Sequence, residues 1–350
     1  MTDEPVREVV RRVGVRRVAE LAGVSPATVS RALREGTPVS QGTRERVRRA
    51  AASLGYTVPV RPLTVAVLAR FPTRWFFAEA VAGVEAVLSA AGHVTQLHNL
   101  GDTTARRHFF ATLPVRGRAD GLIVVASAVD DVERAALEAL GIPVVVVGGD
   151  MPGRPRIGID DRAGARVAVR HLVGLGHRSV ALASFDPDEA CGAATTRDRS
   201  AGWADAHLES GLTRGPVLTV GAAMTDGDAA AGELLSRPRL PTAVFAMSDE
   251  VAVGILRTLR RAGVEVPGQV SVVGFDDHEM AAVADLTTVA QPVRRQGELA
   301  ARALLDALGG GAPADTELAT RLVVRATTAP PRLSRPPGPD AAPPGAGAGR

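Results

Sequence analysis

From Leu63 onward, short runs of valine, isoleucine and leucine alternate with amphipathic helical stretches, and the alternation restarts after His177. The runs fall at residues 63–68, 94–97, 121–125 and 144–147, then at 180–183, 217–220, 243–247 and 270–273. Between the first two, Phe77, Val81, Val84, Leu88 and Ala91 mark one helix face, and Gly92 ends it. Near-continuous apolar strands separated by helices are covered on both faces, which is the condition of buried parallel sheet. Two such sets in series predict two doubly wound lobes with a cleft between them. Segments around Ala290 and Arg321 are expected to cross back, giving several connections and a hinge. The expected spans are 64–175 with 292–319 for the first lobe, and 176–291 with 320–329 for the second.

The residues before this core read differently. Residues 18–33 have the pattern of a helix-turn-helix: Val18, Ala19 and Ala22 share an apolar face, Gly23 permits the tight turn, and Ser25 can cap a second helix that opens on Pro26. Val29, Ala32 and Leu33 turn inward, which leaves Pro26, Ala27, Ser30 and Arg31 outward. Small residues and one arginine on an exposed helix suit a major groove; an ordinary pair of surface helices is the alternative. A third helix is expected from Gln41 to Leu54, capped by Ser40 and stopped by Gly55, with Val47, Ala50, Ala51 and Leu54 inside. Its other faces carry Arg44, Arg46, Arg48 and Arg49.

The expected order is therefore an extension (1–13), a helical head (14–58), a short linker (59–63), the core, and a tail from Pro330. The extension is either added helix or a disordered arm. The tail is rich in proline, glycine and alanine and is expected to be disordered.

Charge follows the same division. Residues 1–62 hold 12 arginines against six carboxylates, so they carry +6 while the whole chain carries +3. Positive charge is concentrated where phosphates would sit. Aromatic residues are 3% of the chain, too few for stacking on single strands. Cys191 is alone, which removes intrachain disulfides and cysteine-based zinc sites, and no cofactor or metal is expected. Glycine-rich phosphate loops do not follow the strands. Asp276-Asp277-His278 reads as a loop after a strand rather than an acid/base or metal cluster, so an enzyme is not expected. No apolar run would span a bilayer and no signal peptide is seen. A cytoplasmic protein is expected, which also disfavours an exported solute-binding protein.

In this order and spacing, several short motifs resemble the LacI/GalR family of transcription factors. They are residues 18–33, Val39-Ser40 with Thr43-Arg44 and Leu54-Gly55-Tyr56, Phe76-Phe77-Ala78, Asp120-Gly121-Leu122-Ile123, Leu175-Gly176-His177-Arg178, Arg199 to Trp203, Ser248-Asp249, Val273 to Asp277, and Leu286-Thr287-Thr288-Val289 with Gln291-Pro292. The resemblance runs from Gly14 to Thr328. It implies a homodimeric repressor with a helix-turn-helix head on a palindromic operator and a periplasmic-binding-protein-like α/β core that senses a small molecule. It implies that Arg31 reads a base, that Pro26 and Ala27 lie nearest the base edges, and that Thr28, Ser30 and Tyr56 hold phosphates. Thr28 and Ser30 have the alternative of a solvated helix face. Ser25 and Arg44 complete the expected DNA-binding set. Arg34 stands where the family usually has asparagine.

For the effector, the resemblance and the strand ends together point to Phe76, Phe77, Ser127, Thr195, Arg199, Ser248, Asp249, Asp276 and Gln291, with Arg199 and Asp276 as direct contacts. Phe77 is either core or ligand face. Asp249 is either ligand or helix cap, Asp160 and Asp161 have the alternative of opening a helix, and Trp203 is expected in the core. Purine-sensing relatives have a second arginine where this chain has Ala193, so a sugar or sugar phosphate is favoured over a purine. Ser248 replaces a frequent asparagine. Ligand is expected to close the lobes and change the spacing of the heads. The tail lacks a leucine repeat, so a dimer rather than a tetramer is expected. The linker departs most: the family has a hinge helix there that wedges the minor groove, whereas Thr57 to Leu63 contains Pro59 and Pro62 and is too short for one. A smaller DNA bend is expected.

Overall fold

A computed structural model describes residues 14–33, 39–54, 56, 61–127, 129–186 and 193–332. The extension 1–13, Arg34, Gly55, residues 57–60 of the linker, Cys191 and residues 333–350 of the tail lie outside these residues. The chain forms two units, residues 1–62 and 63–350.

Among its described residues the first unit holds three helices, α1 (Val15–Ala22), α2 (Pro26–Leu33) and α3 (Gln41–Ser53). Gly23 closes α1 at φ 66°, a left-handed turn that glycine takes without a Cβ penalty. Ser25 Oγ accepts from Thr28 N at 3.1 Å, which makes it the cap of α2. Ser40 holds the N-cap position of α3, but its hydroxyl bonds Thr43 Oγ1 at 2.9 Å instead of capping the backbone as expected, and among the described residues no side chain caps that helix. Val18, Ala19 and Ala22 meet Val29, Ala32, Val47, Ala50 and Ala51 in one small core.

The second unit begins with β1 (Thr64–Ala69), α4 (Trp75–Ala90), β2 (Val94–Asn99), α5 (Thr103–Thr112), β3 (Gly121–Val125), α6 (Asp131–Glu138), β4 (Val144–Val147) and β5 (Arg156–Ile159). It continues through α7 (Asp161–Gly174), β6 (Val180–Phe185), α8 (Ala193–Glu209), β7 (Val217–Val220), α9 (Met224–Leu235), β8 (Ala243–Ala246), α10 (Asp249–Arg261), β9 (Ser271–Asp276), α11 (Glu279–Val283) and β10 (Thr287–Ala290). It ends with α12 (Val293–Leu308), β11 (Thr316–Leu318) and β12 (Arg321–Val323). One sheet runs β11-β5-β4-β3-β1-β2, all parallel. The other runs β12-β10-β9-β8-β6-β7, parallel except for the β12–β10 pair. Strands β3 and β4 are buried throughout, as strands covered on both faces must be. Among the described residues no helix is long and apolar enough to cross a membrane.

Over the described residues the chain passes between the lobes three times: at Asp160, between Ala290 and Val293, and between Leu318 and Arg321. The first crossing differs from expectation. Helix α7 was expected with the first lobe. It packs instead on α8 and on β8, β9, β10 and β12, and Ala165, Ala168, Val169 and Leu172 lie in the second lobe's core. The sequence does not mark this crossing, because β5, the strand that precedes it, opens on Arg156 and contains Gly158 and so is not an apolar run.

Helices α4 and α12 pack side by side to complete the first lobe. Their contact is closest at two glycines: a Cβ on Gly83 would sit 2.1 Å from the Arg294 carbonyl oxygen, and one on Gly297 would sit 2.0 Å from that of Ala80. Backbone cannot yield locally, so Gly297→Ala must push the helices apart. It is expected to lower the denaturant midpoint by an amount worth about 2–3 kcal/mol, with the slope of the transition unchanged.

Candidate functional site

In the head, the exposed side of α2 carries Pro26, Ala27, Ser30 and Arg31, with Ser25 just before it and Thr28 half-buried. Arg31 is held along the helix rather than left loose. Its Nε donates to Ala27 O at 3.4 Å and its Nη2 to Thr28 Oγ1 at 3.5 Å, while Thr28 Oγ1 also meets Ser25 Oγ at 2.8 Å. Ser30 Oγ donates back to Pro26 O at 3.2 Å. Small side chains thus flank one ordered guanidinium, and a fork of donors at that place matches the acceptor pair of a guanine edge. Arg44 is half-buried on α3. Tyr56 packs against the edge of the head core.

In the second unit, a cleft with about 690 Å³ of atom-free space, part of it open to solvent, lies between the lobes at the carboxyl ends of the strands. Seven of the nine residues expected there line it: Phe76, Phe77, Thr195, Arg199, Ser248, Asp276 and Gln291. Two do not. Ser127 is buried beyond the end of β3, outside the lining. Asp249 faces inward: it accepts from Thr288 Oγ1 at 2.6 Å and from the His278 backbone N–H at 2.8 Å. Nor is Asp249 the cap of α10; that is Ser248, whose hydroxyl accepts from Val251 N at 3.3 Å. Trp203 lies in the core, its indole N–H donating to Val180 O at 3.0 Å. Phe77 belongs both to the core and to the cleft wall.

Arg74, Asp161, Glu250 and Gln296 line the cleft without having been singled out as contacts. For Asp161 a signal existed. Asp160 and Asp161 open α7, and the geometry divides the roles. Asp160 is the cap, accepting from Ala163 N at 2.8 Å, while Asp161 turns into the cleft.

Arg199 organises the second-lobe wall. Its Nε donates to Asp161 Oδ1 at 2.8 Å, its Nη1 donates to the Met247 carbonyl and lies 3.7 Å from Asp276 Oδ1, and its plane sits 3.6 Å from the Phe275 ring centre. Asp276 also accepts from Gln291 Nε2 at 2.6 Å. It stands at φ 123°, a conformation that L-residues rarely adopt. Burial pushes the Asp161 carboxyl up and the Asp276 carboxyl to about 7, against the pull of Arg199. Asp249 behind them is raised well above its ordinary range, first by burial and then by the charge of Asp276. Burial raises Glu250 as well, though Arg74 and the Trp75 backbone N–H oppose it. The first-lobe wall contrasts with this. Phe76 and Phe77 meet edge to face at 5.6 Å and offer an aromatic surface. An apolar platform opposite carboxylates held by one guanidinium can take a polyhydroxylated ring: its C–H face against the aromatics, its hydroxyls on the fork and the carboxylates.

Comparison with known proteins agrees with both halves. A profile of bacterial regulatory proteins of the lacI family matches residues 15–58, and a periplasmic binding protein-like domain matches residues 169–328. The chain is 34% identical to the transcriptional regulator CelR of Thermobifida fusca, covering 90% of this chain and 98% of that one. It is 29% identical to the transcriptional repressor PurR of Photobacterium profundum, over 83% of this chain and 91% of the relative. A solved complex of CelR with cellobiose superposes with a TM-score of 0.68 at 34% identity, covering 90% of this chain and all (100%) of that one. The lac repressor dimer bound to operator and the anti-inducer ONPF gives 0.70 at 27% identity, covering 91% and 100%. The chain belongs to the LacI family: it is a sequence-specific DNA-binding transcriptional regulator with a small-molecule-sensing core, not an enzyme.

Proposed function

We propose that this protein is a cytoplasmic repressor that binds a palindromic operator as a homodimer and responds to a neutral sugar. The observation that carries the choice of effector is the state of Arg199. Its guanidinium is already shared among Asp161, the Met247 carbonyl and Asp276, and Glu250 adds a third carboxylate to the cleft. Arg74 also lines the cleft, so two guanidinia face three carboxyls and neither is spare for a phosphate, whereas hydroxyls can donate to the carboxylates and accept from the fork. That narrows the expectation of a sugar or sugar phosphate to the uncharged sugar. Ala193 in the place of a second arginine speaks against a purine, although PurR proteins are among the relatives. The cellobiose bound by CelR makes a disaccharide the first probe.

In this reading Phe76 and Phe77 form the platform, Arg199, Asp161 and Asp276 bind hydroxyls, and Thr195, Ser248 and Gln291 complete the lining. In the head, Arg31 reads a base beside Pro26 and Ala27, while Ser25, Thr28, Ser30, Arg44 and Tyr56 set the register on phosphates. Apolar side chains exposed on edge strand β2 (Val94, Leu97) and on α11 (Met280, Val283) give a second copy surface to cover. Closure of the cleft changes the spacing of the two heads, and the short linker leaves the operator less bent than a wedging hinge helix would.

The test is selection of bound duplexes from a random pool by the full-length protein, alone and with cellobiose, maltose, ribose, glucose 6-phosphate or hypoxanthine. A palindrome bound in a salt-sensitive way is expected, with its recovery changed by one of the uncharged sugars. No preference over scrambled duplex would end the operator reading. A response confined to the phosphate or to hypoxanthine would end the neutral-sugar reading.

A further inference from the structure

The first-lobe wall of the cleft is apolar at Phe76, Phe77, Ala126, Gly148 and Ile159, and it carries one deeply buried polar side chain, Gln296 of α12. Gln296 is 1% exposed, and among the described residues its Oε1 has no hydrogen-bond partner. A buried acceptor without a donor costs stability, so such atoms are few in native proteins and mark places where something else binds.

The orientation of this amide follows from its neighbours. Asp276 Oδ1 faces the Arg199 guanidinium at 3.7 Å, so that oxygen keeps its lone pairs and accepts from Gln291 Nε2 at 2.6 Å. Gln291 must then turn its Oε1 toward Gln296, which donates Nε2 at 3.0 Å. The relay runs one way, from the first-lobe helix to the second-lobe strand end, and it leaves Gln296 with a free acceptor. Gly148 keeps the space in front of it open: a Cβ there would come within 3.0 Å of the Phe76 ring and 3.9 Å of Gln296 Oε1.

We propose that Gln296 Oε1 is a specificity determinant, the first-lobe acceptor for one hydroxyl of a sugar whose C–H face lies on Phe76. The inference rests on the neutral-sugar reading and adds to it. The ligand must donate a proton to the first lobe while it engages Arg199 and Asp276 of the second, so one hydroxyl is indispensable for bridging the lobes. An ether, a fluorine or a hydrogen at that position leaves Oε1 as unsatisfied as in the free protein.

Calorimetric titration of the full-length protein with cellobiose, maltose, glucose and ribose identifies the sugar, and its monodeoxy analogues are then titrated into wild type and Gln296→Leu. The variant is expected to bind the parent sugar about tenfold more weakly. One monodeoxy analogue is expected to lose the same factor with wild type and nothing further with the variant. The analogue arm needs no variant, so it stands even if Gln296→Leu folds poorly, which its thermal melt would reveal. Binding of the parent sugar by a well-folded variant within twofold of wild type overturns the proposal, as does a deoxy series in which no analogue separates the two proteins. Heat from none of the four sugars with wild type overturns the neutral-sugar reading, and this inference with it.

Discussion

Arg199→Ala is expected to cost about 3–5 kcal/mol of folding stability near pH 8 and to abolish the effect of sugar on DNA binding. The residue is 5% exposed, and its guanidinium is ion-paired with two buried carboxylates, Asp161 and Asp276. Its removal strands both. The loss should depend on pH, and the direction follows from where those carboxyls titrate. Each lies above the ordinary value, Asp276 at about 7, so the folded state holds protons that the unfolded state has already released. Stability from such groups is fully present below about pH 4 and is lost as pH rises toward and through the folded-state value. Without Arg199 the folded-state values climb further. The gap in melting temperature between wild type and variant should therefore be wide at pH 8 and narrow at pH 5. Arg199→Lys, which keeps the charge but not the planar fork, should recover part of the stability and little of the sugar response. A gap that does not change with pH would show that packing on Phe275, not the charge, makes Arg199 necessary.

Arg31→Ala is expected to weaken binding to the selected operator about 10- to 100-fold while hardly changing the affinity for scrambled duplex. The side chain is exposed, and its bonds to Ala27 and Thr28 stay within one helix, so the head core of Val18, Val29 and Val47 is untouched. Arg44→Ala makes the contrast. A phosphate contact carries no sequence information, so its loss should weaken both duplexes alike and reduce the slope of log affinity against log salt by about 1. Filter binding at several salt concentrations separates the two. If Arg31→Ala lowers both affinities equally, Arg31 holds phosphate and the base is read elsewhere on α2.

What could be read from the sequence was what is decided locally. The turn at Gly23, the cap at Ser25 and the start at Pro26 each depend on a few neighbouring residues, and α2 follows from them. Strands β3 and β4 are unbroken apolar runs and could hardly be anything else. Strands β5 and β11 gave no such signal, because Arg156–Ile159 and Thr316–Leu318 are short and are not apolar runs. Missing β5 put α7 on the wrong sheet. In the cleft, Arg199 and Asp276 are legible through motifs, whereas Arg74 and Gln296 meet them only after two lobes distant in sequence come together, and Glu250 reaches the cleft from the first turn of α10 with no motif to mark it. The cap of α10 depends on where the helix begins: Asp249 is its first residue, so Ser248, extended just before it, is the residue that reaches Val251 N.

The three passages between the lobes bear on how the protein is made. The first sheet needs β11, and its helical cover needs α12, yet both follow every strand of the second lobe except β12. A ribosome therefore releases β1 to β5 with α4 unpaired, its Gly83 face and the apolar strands beneath it awaiting residues 293–318. The two halves must mature nearly together, and the apolar surface of α4 is what a chaperone would meet in the interval.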